Sequence, residues 1–302
     1  MPAFRRIVIV MFENASRDTV LANQYMRDLR KQGVWLSSSH GVTHPSQPNY
    51  IALTGADTLG FNSDDPGWVT WVDHSNYPPT TIKSIVDLIE AQGLTWKAYA
   101  EDLDLADQEA KAGIDPPYTQ KYPDGIFTPY PAAPPGGSGL FARKHVPFLS
   151  YPNIVAKENV RELIVDFEQF QTDIANDALP EFSFVVPNLL NDGHNGPGHS
   201  NPFDRQNIAN IQNFLQNIFL KDDPISSYPP ETLIVLTFDE AYPVIAPYNI
   251  YTLLIGDMLQ AGTVRTEPYN HYSLLRSIEI NFGLGSLGRN DVAATPYWFL
   301  QS

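Results

Sequence analysis

The sequence predicts an α/β protein, with a mostly parallel central sheet and helices on both faces. Three observations carry that prediction. Apolar runs rich in β-branched residues, such as "IVIVMF" (Ile7–Phe12) and "TLIVLTF" (Thr232–Phe238), are continuous rather than alternating, as in strands buried on both sides. Amphipathic segments of helical period separate such runs, so strand and helix alternate along the chain. With 302 residues, 43% of them hydrophobic, and no cysteine, the chain can fill one large core without disulfide staples. It reads as one domain over residues 1–302.

The first strand leads into an amphipathic helix over Asp18–Gly33, with Asp18 as its N-cap and Gly33 as its stop. "VWLSSS" reads as the next strand. Then comes "THPSQPNY" (Thr43–Tyr50), where Pro45 and Pro48 are expected to hold the backbone in a turn ahead of the apolar "IALTG". A second helix over Thr80–Gly93 precedes a strand at Thr95–Glu101. A third over Asn159–Asn176 precedes Phe182–Asn188, and a fourth over Asp204–Leu220 precedes Thr232–Glu240. The last helix covers His271–Leu284. Two stretches interrupt this order, at about 57–79 and 115–139. They are rich in proline, glycine and aromatics, among them Trp68, Trp71, Tyr118 and Tyr130. Loops of that length tend to carry function, and these are expected to wall the site.

Lys and Arg number 19 against 34 Asp and Glu, a net charge of −15. That counts against a general nucleic-acid binder, which needs clustered cations. A small phosphate ester is compatible, because a metal or a lysine reverses the field locally. No apolar run reaches membrane-spanning length. "MPAFRR" passes straight into the first strand, with no apolar stretch of signal-peptide length. Oligomeric state is left open.

In an open parallel sheet the ligand site lies beyond the carboxyl ends of the strands. Those ends carry Glu13-Asn14, Glu101-Asp102, Asn188 to His194, and Asp239-Glu240. Two adjacent carboxylates converging with Glu13 need a cation between them, and Glu13 with Asn14 offers the oxygen ligands a hard cation takes. Ser46 becomes a nucleophile where a metal or base activates it, with Asn49 or Asn14 to grip a phosphoryl oxygen. Asp192 and His194 are mixed metal ligands, or a base with its orienting acid; His199, further along the same loop, is left outside this set. Lys144 and His145 are candidate phosphate binders. His271 is a ligand, a general acid or a capping residue. Each has a plain structural alternative. Ser46 caps a helix; Glu13 is solvated while Asn14 or Ser16 caps; the loop histidines are incidental; Lys144 and His145 form a solvated basic pair. The residues by themselves leave these alternatives open.

Taken in order, "VIVMFEN", "THPSQPNYIALTG", "SIVDLIEAQGLTWKAYAED", "KHVPFLSY", "FSFVVPNLLNDGHN", "TLIVLTFDEA" and "YNHYSLLRSIEINFGLG" resemble the phosphoesterase family of bacterial phospholipases C and acid phosphatases, from about Arg6 to Leu287. The resemblance implies an alkaline-phosphatase-like fold and metal-dependent phosphoryl transfer at the carboxyl edge of the sheet. It implies Ser46 as nucleophile and Glu13, Asn14, Asp239 and Glu240 as metal ligands. It places His44, Lys144, His145, Asp192, His194 and His271 around the phosphate pocket. Two-zinc members of the superfamily use paired Asp-His ligands. Here the pairs are Glu-Asn and Asp-Glu, which favours a single harder ion such as Ca²⁺, Mg²⁺ or Mn²⁺ over two zincs, with Zn²⁺ still among the candidate metals and a second ion near Asp192 and His194 as the alternative.

Long phospholipases C carry C-terminal β-domains that do not follow Ser302, so the resemblance favours a phosphomonoesterase of acid-phosphatase type, acting through a phosphoserine. The alternatives are a phosphodiesterase or phospholipase C, a non-catalytic binding protein of the same fold, and sulfate or phosphonate transfer. A histidine acid, His194 or His271, predicts an optimum on the acid side of neutral. The family is mostly secreted or periplasmic, although this N-terminus shows no leader.

Overall fold

The computed structural model describes residues 2–64, 82–104, 106–107, 140–194, 205–220, 226–243 and 246–300. In chain order its strands are β1 (Arg6–Phe12), β2 (Val34–Leu36), β3 (Ser39–His40), β4 (Trp96–Ala100), β5 (Ile164–Asp166), β6 (Phe182–Val186), β7 (Thr232–Phe238), β8 (Asn249–Ile250), β9 (Leu253–Ile255), β10 (Thr263–Arg265) and β11 (Tyr269–Asn270). Eight form one sheet in the order β10-β2-β9-β7-β1-β6-β4-β5, and β11-β3-β8 form a second, small one. In the large sheet only β9 runs antiparallel to its neighbours β2 and β7. The mostly parallel α/β architecture is as expected.

β1 lies between β6 and β7, in parallel register with both. Its side chains alternate between two cores. Ile7, Ile9 and Met11 pack with Tyr50, Ile51, Ile85, Ile89, Leu275 and Ile278 on one face. Val8, Val10 and Phe12 pack with Val20, Met26, Phe170, Ile211 and Phe214 on the other. Each such buried side chain contributes about 1.5–3 kcal/mol, which explains why the strand is apolar throughout.

Several elements depart from the sequence reading. The helix expected over Asp18–Gly33 is three pieces, Arg17–Leu21, Gln24–Leu29 and a 3₁₀ turn at Arg30–Gln32. Asn23 starts the second piece by accepting from Met26 N at 3.2 Å. Ser16, not Asp18, caps the first, accepting from Thr19 N at 3.2 Å. The helix expected over Asn159–Asn176 is split by β5, whose Ile164 and Val165 extend the sheet beside Ala98 and Tyr99. Pro45 and Pro48 do not keep "THPSQPNY" out of a helix. The helix Ser46–Gly55 begins inside it and is buried along its whole length. Pro48 falls in the first turn, where an N–H has no intrahelical partner to lose.

The far end of that helix is closed by the loop after the last helix, His271–Phe282. Arg289 Nη1 donates to Gly55 O at 2.7 Å, and Asn290 Nδ2 to Ala56 O at 3.0 Å. Asp291 shapes this loop by accepting from Leu287 N at 2.7 Å and Arg289 N at 2.6 Å. Beside it Glu279 accepts from Leu287 N at 3.2 Å and Arg276 Nη1 at 3.0 Å. The aromatic walls expected from Trp68, Trp71, Tyr118 and Tyr130, and His199, lie outside the described residues.

Candidate active site

Where the central strands end, two further backbone hydrogen bonds join the segments that leave them. Asp239 N donates to Phe12 O at 2.9 Å, and Glu13 N to Asp192 O at 2.8 Å. Glu13, Asp192 and Asp239 are thereby brought to one edge. Each is buried. Asn14 turns the chain away with φ of 50°, and its N–H donates to Asp239 Oδ1 at 2.9 Å. Gly193 (φ 93°) makes the turn that presents His194, at a spot where a Cβ would strike Ile211. His194 N accordingly reaches Asp192 Oδ1 at 2.9 Å.

Two groups meet at this edge. In the first, Ser46 Oγ donates to Glu240 Oε1 at 3.1 Å. The other oxygen, Oε2, is held by His44 Nδ1. Ser46 is the first residue of its helix and 1% exposed, so it is neither a surface turn residue nor a side-chain cap. Gly41 lets the preceding segment close on the strand end, since a Cβ there would lie 3.0 Å from Asp239 O.

In the second group Glu13 is the hub. His145 Nε2 lies 2.8 Å from Glu13 Oε1 as an ion-pair contact without hydrogen-bond alignment, and His145 Nδ1 lies 3.7 Å from Asp192 Oδ2. His194 Nε2 is 3.6 Å from Glu13 Oε2, and Lys144 Nζ is 3.8 Å from Glu13 Oε1. His145 is buried and stacks on Tyr50 with ring centroids 5.0 Å apart. Lys144 and His145 are therefore not a solvated basic pair.

The charges are unevenly satisfied. Burial opposes ionisation of Glu13, but His194, His145 and Lys144 outweigh it and hold its carboxyl well below the usual range. Burial and then the Glu13 charge push Asp192 and Asp239 well up, and push Glu240 up to about 9. Lys144 is raised: the charges of Glu13 and Asp64 outweigh the burial that would lower it. His145 is lowered by burial.

Among the described residues, both Glu13 oxygens, Asn14 Oδ1, Asp192 Oδ2 and Asp239 Oδ2 are buried without a hydrogen-bond partner, the Glu13 oxygens meeting His145, His194 and Lys144 as ion-pair contacts only. Leaving so many buried oxygens unmatched is costly, and an oxygen-rich donor set of this kind fits a hard divalent cation. Among the described residues, no group of three or more His, Asp or Glu side chains is arranged so as to hold a metal ion by itself. The fit rests on the unmatched oxygens and on the amide and hydroxyl donors beside them.

Two expected residues take other positions. Asn49 was expected to grip phosphate, but its amide is committed to the turn. Its Oδ1 accepts from Val42 N at 2.9 Å and Thr43 N at 3.0 Å, and its Nδ2 donates to Thr43 O and Pro45 O, both at 3.0 Å. His271 was expected to face the reaction as an acid or ligand. Its Nε2–H instead donates to the backbone oxygen of Asp239 at 2.6 Å, and burial lowers its pKa to about 4, so it is a neutral brace behind the strand end. Asn270 supplies the helix cap there.

Sequence reasoning missed Asp64, which accepts from Lys144 Nζ at 2.7 Å and Gln47 N at 3.0 Å. It also missed Tyr50 as the platform for His145. Asp64 sits in a loop with no strand end to flag it. Tyr50 is four residues from Ser46, one helical turn, which is the signal that could have found it.

Residues 22–285 match the Phosphoesterase family. An acid phosphatase of Aspergillus fumigatus is 30% identical over 296 residues, 97% of this chain and 58% of that one, so the chain spans about three fifths of that relative. A phosphatidylinositol-3-phosphatase of Mycobacterium tuberculosis is 25% identical over 307 residues, 99% of this chain and 84% of that one. A solved protein in the alkaline phosphatase superfamily, from Vibrio parahaemolyticus, superposes with a TM-score of 0.50 at 12% identity, covering 96% of this chain and 70% of that one. At that identity the likeness speaks to the fold alone, which is alkaline-phosphatase-like.

Proposed function

The chain belongs to the Phosphoesterase family, and on that premise we propose that it is a metal-dependent phosphomonoesterase of acid-phosphatase type acting through Ser46. The observation that carries the reading is the Ser46–Glu240 hydrogen bond beside the unmatched oxygens of Glu13, Asn14 and Asp239. The names of the acid phosphatase and phosphatidylinositol-phosphatase relatives support a phosphate monoester as substrate.

Glu13, Asn14 and Asp239, whose oxygens are unmatched, would hold one divalent cation, and Glu240, expected as a fourth ligand, is engaged by Ser46 and His44 beside them. When bound, that ion would lower the pKa of the Ser46 hydroxyl and offset the charge of the phosphoryl oxygens. The chain's own residues do the rest. Glu240 orients the Ser46 O–H and receives its proton along their hydrogen bond. Ser46 Oγ attacks phosphorus, forming the serine phosphoester as the bond to the leaving oxygen breaks. His194 protonates that oxygen. In the second half His194 takes a proton from the attacking water, the phosphoester bond breaks, and Ser46 recovers its proton from Glu240. Lys144 draws the non-bridging oxygens into place, and His145 links Glu13 to Asp192 behind it.

The test is acid-quench mass spectrometry during hydrolysis of para-nitrophenyl phosphate. One added phosphoryl group on the peptide bearing Ser46 is expected, and its absence from Ser46→Ala. A steady-state preference for bis(para-nitrophenyl) phosphate over the monoester would move the reading to a phosphodiesterase.

A further inference from the structure

Asp64 lies outside every strand end, yet it engages the site at two atoms. Its Oδ1 accepts from the backbone N–H of Gln47 at 3.0 Å, and its Oδ2 from Lys144 Nζ at 2.7 Å. Gln47 follows the serine read here as nucleophile, in the first turn of a helix ten residues long. The N–H after a nucleophile is a common donor to a reacting oxyanion, and helix N-termini attract anions. Lys144 is the cation the proposed mechanism gives to the phosphoryl group, and it stands 3.8 Å from Glu13 Oε1. One carboxylate thus spans the backbone donor and the ammonium that two non-bridging phosphate oxygens would use.

Resting on the reading of Ser46 as nucleophile, we propose that Asp64 is a built-in mimic of the substrate phosphate. In the free protein it fills the phosphoryl-oxygen subsite, and it gives up the Gln47 N–H when a phosphate binds. An amide carries one hydrogen, so Gln47 cannot serve both anions at full strength, whereas the ammonium of Lys144 has three and can. Asp64 also has somewhere to go. Its side chain is 39% exposed, while Glu13, Asp192 and Asp239 are closed in. The displaced carboxylate remains near the bound anion and repels it. Asp64 therefore weakens retention of free phosphate, the product, as well as of the ester.

A rival role for the same contacts is that Asp64 merely orients Lys144. The two roles predict opposite signs. Removing a mimic tightens anion binding; removing an orienting partner loosens it. The experiment measures inorganic phosphate affinity by calorimetry, and KM and kcat for para-nitrophenyl phosphate, on the wild type, Asp64→Asn and Asp64→Glu. Asp64→Asn keeps an acceptor for Gln47 N but removes the charge, and is expected to lower both the phosphate Kd and KM by about tenfold, the scale by which a charge-assisted hydrogen bond exceeds a neutral one. Asp64→Glu, which keeps the charge, is expected to stay near the wild type. An unchanged or weaker phosphate affinity in Asp64→Asn overturns the proposal, as does phosphate binding by neither protein. Failure of the nucleophile reading looks different: Ser46→Ala keeps full turnover, while the phosphate affinities still divide by the charge at position 64.

Discussion

Ser46 and Glu240 stand 194 residues apart in the chain and are joined by a 3.1 Å hydrogen bond from Oγ to Oε1. The bond ties the first residue of a buried helix to the end of a central strand. The position of the hydroxyl is therefore set by the sheet and by helix packing, not by its own turn. Ser46→Ala is expected to reduce monoester turnover at least about 10³-fold. It removes one hydrogen bond and opens no large cavity, so unfolding free energy should fall by only about 1 kcal/mol. Hydrolysis rates and a thermal melt on the same sample check both. Turnover above a few per cent of wild type removes Ser46 from the nucleophile role.

Asp239 gives a prediction whose sign depends on the metal. Burial and the neighbouring charges of Glu13 and Glu240 oppose its ionisation, so without a cation the carboxylate is a liability at neutral pH. Asp239→Asn keeps an acceptor for Asn14 N and removes that charge. In excess chelator the variant should melt higher than the wild type. With the cation saturating, the order should reverse, because the wild type gains binding free energy (about 2.7 kcal/mol at a hundredfold excess over Kd) that the variant loses in part. Metal analysis should show the variant depleted. Melting points in the same order under both conditions would contradict the ligand role.

Glu279 and Asp291 make stability itself pH-dependent, away from the site. Burial raises the Glu279 carboxyl from 4.5 to about 7, with Asp291 adding to the shift. The folded state therefore prefers the protonated acid. That contribution is complete below pH 4.5 and is lost as pH rises through about 7. Asp291, Arg276 and the loop N–H of Leu287 are the polar groups set around Glu279. Glu279→Gln imitates the protonated form, so it should flatten the decline in melting temperature between pH 4.5 and 7. A variant with an unchanged slope would place the titration elsewhere. The loop involved also closes the end of the Ser46 helix through Arg289 and Asn290.

The acids at the strand ends were legible because a buried parallel strand must be apolar up to its last residue. Glu13 and Asp239 break that rule at the point where ligands bind. Pairs and partners were not legible in the same way. That Asn49 is an amide near Ser46 can be read from the chain; that four backbone groups of its own turn consume it cannot. The acceptor for His271 is a backbone oxygen, which no side-chain pattern reveals. Strands β8 to β11 span two or three residues each, too few for a period to register. The breaks at Asn23 and at Ile164 follow from a local cap and from an open sheet edge, and both act against a helical period that is otherwise intact.

His194 and His271 are both candidates for the general acid, and they take different positions in the structure. His271 donates its Nε2–H to Asp239 O and is buried and neutral. His194 stands at the rim with its side chain 30% exposed, 3.6 Å from Glu13. The two roles differ in how they respond to the leaving group. Para-nitrophenolate departs without a proton, whereas the alkoxide of glycerol phosphate needs one. If His194 supplies it, His194→Gln should slow glycerol phosphate hydrolysis by about 10²-fold or more and para-nitrophenyl phosphate far less. His271→Gln keeps a donor for Asp239 O, so any loss should fall equally on both esters and leave the pH profile unmoved. His271→Ala removes that donor and should cost both esters more. Should His194→Gln slow both esters alike, its part is to hold Glu13 in place, and the proton for the leaving group comes from another donor at the same edge.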